Sequence, residues 1–342
     1  MSTERGRIQI TGFDAERVRD RETLSDWSTG VEGGTDSRYA RAWRRFRRNR
    51  SAMLGTGIVL VMIALAVLAR PITVMGFPIQ PLSLAPHDPQ AILYLEPGGP
   101  ERYASPSLSH PMGVDGDGRD IFSRVLYGGR YSISIGFVVV ALTFSFGIFV
   151  GAIAGYYGGW IDEILMRVLD VVFAFPALVL ALVLVAMFGG GYWQLVAAFA
   201  LPGWAAYARL IRGEILSIKE NEYVLAAKAL GASDRRIIFK HIVPNAIPPA
   251  VVQATLSTGT IVIGVAALGF LGLGMPSGTA EWGTMLDGAL SSMVQTPIPW
   301  WATIFPGGAI FIFVMAINMI GDGINDSFDA QAEDVQMHGG GG

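Results

Sequence analysis

The sequence predicts an all-α protein, a polytopic bundle of six transmembrane helices, and three observations predict it. Apolar residues make up 51% of the 342 and charged residues only 15%, against about 25% in an ordinary soluble domain. The mean hydropathy is positive. The charges are also clustered, leaving uncharged stretches of 19 residues after Arg50, 31 after Arg130, 38 after Asp170, 39 after His241 and 34 after Asp287. A helix crosses a bilayer in about 20 apolar residues, and open backbone cannot cross lipid with its polar groups unpaired.

The elements follow in chain order. Residues 1–50 read as a cytoplasmic tail, polar and mostly disordered over 1–37. It ends in a basic run, Arg38, Arg41, Arg44, Arg45, Arg47, Arg48 and Arg50. Directly before a hydrophobic span, such a run reads as an anchor on anionic headgroups rather than a nucleic-acid site. The first span covers about 52–69 and carries no small-residue cleavage pattern, so it is retained. A long external loop, 70–130, holds a proline-rich insert over about 71–112. The second span covers about 131–156. The 38-residue stretch is too long for one helix, and Gly189, Gly190 and Gly191 before Tyr192 and Trp193 mark a turn at the membrane surface. That places the third span at about 166–187 and the fourth at about 193–209. The fifth covers about 246–268 and the sixth about 303–321. The transmembrane domain is thus 51–325, and 326–342 reads as a disordered cytoplasmic tail.

Charge asymmetry orients the bundle. The 209–241 stretch holds Arg209, Arg212, Lys219, Lys228, Arg235, Arg236 and Lys240, whereas 271–300 holds Glu281 and Asp287 and no Lys or Arg. The positive-inside rule places the first in the cytoplasm with both termini, and the second outside. Within the spans, Gly147 and Gly151 form a step that lets helix backbones approach closely. Pro176 and Pro202 should bend the third and fourth spans. Arg167 and Asp170 lie three apart at the inner end of the third span and could pair. Asn318 is the most polar side chain at membrane depth and reads as helix–helix glue.

Several function classes are disfavoured, an ion-coupled secondary carrier standing as the less favoured alternative. The spans lack the mid-depth charges of an ion-driven carrier. The chain contains no Gly-x-x-x-x-Gly-Lys-Ser/Thr phosphate loop and no Cys, and its four His, at 87, 110, 241 and 338, show no grouping in sequence. No catalytic group, cofactor or metal is expected. The chain is passive or takes its work from a partner.

The segment Glu222-Tyr-Val-Leu-Ala-Ala-Lys-Ala-Leu-Gly231-Ala-Ser-Asp234 through His241 to Pro244 reads as two short helices, about 217–229 and 233–240. Gly231 ends the first, Ser233 can cap the second and Pro244 stops it. Helices this short are marginal in water alone, so their apolar surface should dock on something. The segment resembles the signature loop of the inner-membrane subunits of binding-protein-dependent ABC importers. Leu225-Ala226-Ala227, Gly231 and His241-Ile242-Val243-Pro244 keep that loop's spacing. Leu225 in place of glutamate and His241 in place of isoleucine are similar to the dipeptide/oligopeptide/nickel branch.

Four further stretches resemble the second permease subunit of that branch. They are Gly113–Arg130, Asp170 with Phe175-Pro176, Gly269–Gly274 with Trp282-Gly283, and Gly321-Asp322-Gly323, although Asn325 stands where arginine is common. The resemblance implies a type I ABC importer permease fold and a chain that forms half of a translocation pathway without performing chemistry. It implies a related first permease as partner, one or two cytoplasmic ATPases and an external or lipid-anchored substrate-binding protein. Leu225, Ala226, Ala227, Gly231, Asp234, His241 and Pro244 would form the ATPase-coupling loop, within 210–245. Arg167, Asp170, Pro176 and Asn318 are structural or pathway candidates. Dipeptides, oligopeptides, nickel chelates and sugars all stay open as substrates.

Seven basic residues against none predict the orientation, and the cysteine-free chain makes it measurable. Ser277→Cys should label from outside intact cells and Ser233→Cys only after permeabilisation; the opposite pattern would overturn the topology.

Overall fold

The computed structural model describes residues 38–74, 77–290 and 294–339; the tail expected over 1–37 lies outside them. The chain divides into two units, Met1–Arg45 and Phe46–Gly342. The basic run forms a helix, α1 (Arg38–Arg48). Next, α2 (Arg50–Leu68) starts at Asn49, whose Oδ1 accepts the N–H groups of Ser51 (3.1 Å) and Ala52 (3.2 Å). This is the Asn N-cap that satisfies otherwise orphaned donors. Strands β1 (Ile72–Val74) and β2 (Phe77–Gln80) pair antiparallel, Ile72 opposite Gln80 and Val74 opposite Phe77. This hairpin is the one departure from the all-α class among the described residues.

The longest uninterrupted apolar helix, α3 (Ile121–Tyr157), begins ten residues before the expected span. Asp120 sets that start: its Oδ2 accepts the Ser123 N–H at 2.8 Å and the Ser123 hydroxyl at 2.6 Å. The expected third span is two helices, α4 (Gly159–Phe173) and α5 (Ala177–Phe188), bent by 79°. Pro176 stands at the break; it lacks an N–H and disfavours helical geometry at Phe175. Helix α6 (Tyr192–Ile218) keeps Pro202 inside and runs nine residues past the expected end. Two short helices follow, α7 (Glu222–Ala229) and α8 (Asp234–Ile237). A π-helical turn, Ile238–Ile242, then leads into α9 (Val243–Phe270). Helix α10 (Trp282–Leu290) lies within the expected 271–300 loop. The last helix, α11, runs from Trp301 to Gly339, past the expected limit at 321 and through the segment read as a tail.

Among the described residues, four helical stretches are long and apolar enough to cross a bilayer: Arg50–Leu68, Ile121–Tyr157, Asp234–Phe270 and Trp301–Phe328. Counting the bent α4–α5 pair as one span makes five, not the expected six. Helix α6 falls short because Tyr192, Trp193 and Gln194 open it and Arg209, Arg212 and Glu214 interrupt its second half. The coarse class stands: a polytopic, helical membrane bundle.

The most extensive packing joins α3 and α6. Gly151 allows it, because a Cβ there would lie 2.5 Å from the Ala208 carbonyl oxygen and 3.0 Å from the Ile211 Cβ. Gly147 and Gly155 continue the same seam, against Tyr207 and Ile215. A second core gathers Trp282, Phe313, Ile317 and Ile133 from three helices. Two buried charged side chains hold that end. Glu281 is fully buried and accepts from Ser132 Oγ (2.8 Å), the N–H groups of Gly283 (3.0 Å) and Thr284 (2.8 Å), and the Thr284 hydroxyl (3.0 Å). Arg124 donates to the carbonyls of Pro89 (2.8 Å), Gly278 (3.1 Å) and Thr279 (3.2 Å), joining the insert to the loop before α10. Nearby, Arg70 pairs with Asp88. The Asp88 carboxyl sits below its ordinary range, chiefly because the Gln90 N–H donates to it; partial burial opposes this and Arg70 adds to it.

The seam yields a matched pair of variants. Gly151→Ala should cost on the order of 1–3 kcal/mol of stability through overpacking, read as a lower melting temperature in detergent. Gly57→Ala, with nothing within 4 Å of the added carbon, should leave it unchanged or raise it. Equal melting of the two would contradict the close approach.

Candidate coupling site

The two short helices are joined by a turn that only the backbone of Gly231 makes easily. Its φ is +79°, a left-handed conformation that costs side-chain-bearing residues energy. The Gly231 N–H donates to the Lys228 carbonyl (3.0 Å) and the Ala232 N–H to the Ala227 carbonyl (3.1 Å). That pair of bonds is a Schellman ending, which satisfies the last carbonyls of α7. Ser233 precedes α8 as expected, but its side chain makes no capping bond. Its carbonyl accepts from Ile237 N at 3.0 Å.

One face of this segment is anchored and the other is open. Val224, Ile237 and Ile242 are buried, clustered with Ile211, Ile215 and Ile218 of α6 and its exit and with Ala246 and Ala250 of α9. Asp234 accepts a 2.6 Å hydrogen bond from the Tyr156 hydroxyl at the end of α3. Lys219 caps the same helix end, donating to the Gly155 carbonyl at 3.1 Å. On the open side, Leu225 is 53% exposed, Leu230 88% and Phe239 73%. Ala226 is exposed and Ala227 half-buried. A cleft of about 490 Å³ between this segment and the α3 terminus is lined by Tyr156, Tyr157, Lys219, Leu225 and Lys228.

Pro244 does not stop a helix. The π-turn carries the chain from α8 into α9, and Pro244 falls in the first turn of α9, where no N–H is needed. His241 sits in that turn half-buried, its carbonyl accepting from Asn245 Nδ2 at 2.6 Å.

The expected Arg167–Asp170 pair does not form. Asp170 instead accepts from Arg209 of α6 at 2.7 Å, and the Arg209 guanidinium lies 4.2 Å over the Phe173 ring. Arg167 faces Glu163 at 3.9 Å, both largely exposed, a pair worth little in water. The bent α4–α5 pair lies against α6 and so offers Asp170 a partner 39 residues away. A second, bidentate pair joins Arg212 to Asp162. Pro176 precedes α5. Asn318 is exposed on α11, whose buried line is Phe313, Ala316 and Ile317; it does not glue helices within this chain.

A cavity of about 630 Å³ lies between α3, the bent pair, α6 and α9. It is mainly apolar, with Thr143, Tyr207, Gln253, Ser257 and Thr260 as its polar groups. The sequence reading missed it by searching the spans for charges; Gln253 and Ser257, four apart in the fifth span, are the signal. The structure also brings His87 and His110 together with Asp120, a grouping hidden by 22 intervening residues.

The family described as "Binding-protein-dependent transport system inner membrane component" matches residues 147–333, more than half of the chain. The "N-terminal TM domain of oligopeptide transport permease C" matches 37–97. The chain is 38% identical over 293 residues to a dipeptide transport system permease protein of Alkalihalophilus pseudofirmus, covering 86% of this chain and 90% of that one. It is 40% identical over 287 residues to a glutathione transport system permease protein of Shigella dysenteriae, covering 84% and 88%. A solved chain described as an amino acid ABC transporter aligns with a TM-score of 0.45 at 17% identity, covering 59% of this chain and 92% of that one. The chain belongs to the inner-membrane components of binding-protein-dependent transport systems, a permease subunit and not an enzyme.

Proposed function

We propose that this chain forms half of the translocation pathway of an ATP-driven importer of short peptides. Relatives named for dipeptide and glutathione transport support the substrate class. In this reading the chain spans the membrane six times, with α4–α5 as one bent span and α6 as another. The 209–241 segment and both termini lie in the cytoplasm, and the insert and α10 lie outside, a placement the charge asymmetry supports. A related permease supplies the other half of the pathway, and a substrate-binding protein delivers the peptide. The cavity bearing Gln253 and Ser257 belongs to the route, with apolar walls and few fixed polar groups.

The observation that carries the reading is the two-sidedness of α7–α8. An isolated pair of 8- and 4-residue helices would not persist in water. These are held by Val224, Ile237 and Ile242 while Leu225, Leu230 and Phe239 stand exposed, which suits docking to a cytoplasmic ATPase. Ala226, Ala227, Gly231, Asp234, His241 and Pro244 shape that surface. Because Asp234 is bonded to α3 and the segment is packed on α6 and α9, ATPase closure would pull on the three helices that line the cavity. Such a linkage converts a two-state motion of the ATPases into alternating access.

Gly231→Val tests it. No atom lies within 4 Å of an added Cβ, so the main cost is backbone strain, about 1–2 kcal/mol, expressed as a misaimed α8. The variant should insert normally and keep its partner permease, but lose ATPase co-purification or ATP-driven peptide uptake in reconstituted vesicles. Retention of both at the level of the unaltered complex would end the assignment.

A further inference from the structure

We propose that His87, His110 and Asp120 form a binding site for a divalent transition-metal ion, zinc by preference, that staples the 71–112 insert to the start of α3. The ligating atoms of these three side chains all lie within 4.8 Å of one another. The His110 and His87 ring centroids are 4.9 Å apart, with planes inclined by 30°. Two imidazoles bonded to one zinc at about 2.0–2.1 Å, at angles between 90° and tetrahedral, place their centroids about 4.5–5.2 Å apart. The observed spacing falls inside that interval. Nitrogen and carboxylate oxygen together suit zinc and its first-row neighbours and not the all-oxygen preference of calcium or magnesium.

The surroundings are built to hold these groups. Asp120 is fully buried and His110 is 7% exposed. His110 Nδ1 and Asp120 Oδ1 are 2.9 Å apart. The other carboxylate oxygen is fixed by the Ser123 N–H and hydroxyl. The His110 main chain is locked in a turn: its N–H donates to Ser107 Oγ (3.1 Å), and its carbonyl accepts from Ser107 N (2.9 Å) and Gly113 N (2.9 Å). The His87 N–H donates to Ser123 Oγ at 3.1 Å, so all three ligands hang on the first turn of α3. His87 is half-exposed, which leaves an entry path and an open position for water.

A buried His–Asp pair alone does not need a second imidazole against it. Asp120 already has partners on both oxygens, and His87 adds a nitrogen lone pair that nothing else in the cluster uses. To bind the ion through Nδ1, the neutral His110 ring carries its proton on Nε2 instead, and Asp120 Oδ1 turns its lone pair to the ion.

The test uses the full-length chain in detergent, purified through a tag free of histidine, stripped with chelator and titrated with Zn²⁺ and with Co²⁺. The unaltered chain should bind one ion, give the intense visible absorption of low-coordinate Co²⁺, and melt at a higher temperature with Zn²⁺. His87→Phe keeps a ring against His110 but removes a ligand; it should lose at least about tenfold in affinity and the zinc-dependent melting shift. His110→Ala should behave alike, and His241→Ala should bind as the unaltered chain does. Should His110→Ala fail to fold, the partly exposed His87 position still decides. Weak binding that His87→Phe leaves unchanged, or no stoichiometric binding by the unaltered chain, would overturn the site.

Discussion

The close approach of α3 and α6 is the constraint on which one half of this permease depends. Helix backbones in lipid gain nothing from hydrophobic exclusion, so their association rests on packing and on small residues that admit it. Gly147, Gly151 and Gly155 lie one turn apart and bring α3 onto the Trp204–Ile215 stretch of α6. From that seam the rest follows. It places Tyr156 beside Asp234 and Lys219 over the end of α3. It also sets α6 at the depth where Arg209 and Arg212 meet Asp170 and Asp162 of α4. Both ion pairs tie the bent helix to the same element that leads into α7–α8.

The opposite end uses a different device. Arg124 and Glu281 are buried, where an ionised group without partners would be costly. Each is enclosed by backbone groups: Arg124 by carbonyls from the insert and the 276–279 turn, Glu281 by the first N–H groups of α10. Polar stitching of this kind fixes loops that no apolar face could align. It leaves the membrane-depth cavity between two firmly held ends, a useful arrangement if the ends must move as bodies.

The helical bundle and the approximate course of its spans were legible because hydropathy acts locally: a run of apolar side chains is a span wherever its neighbours fall. Gly231 was legible for the same reason, since a turn is a property of a few consecutive residues. What escaped were features set at a distance. Asp170 pairs with Arg209 rather than its helical neighbour Arg167 because the chain bends at Pro176 by 79°, an angle no periodicity encodes. Pro244 begins a helix instead of ending one because a π-turn precedes it. Asn318 was read as glue, but the packed face of α11 is set by Phe313 and Ala316. His87 and His110 meet only because both hang from Ser123 and Asp120 at the start of α3.

The central claim is that the open face of α7–α8 meets the ATPase. Leu230 is 88% exposed at the tip of that face, and the chain has no cysteine of its own. A Leu230→Cys permease, assembled with its partners and treated with a short thiol-to-amine crosslinker, should give a covalent adduct with the ATPase. The adduct's yield should change between nucleotide-free and ATP-bound states. An adduct with the ATPase absent in both states, while the complex remains intact, would contradict the account.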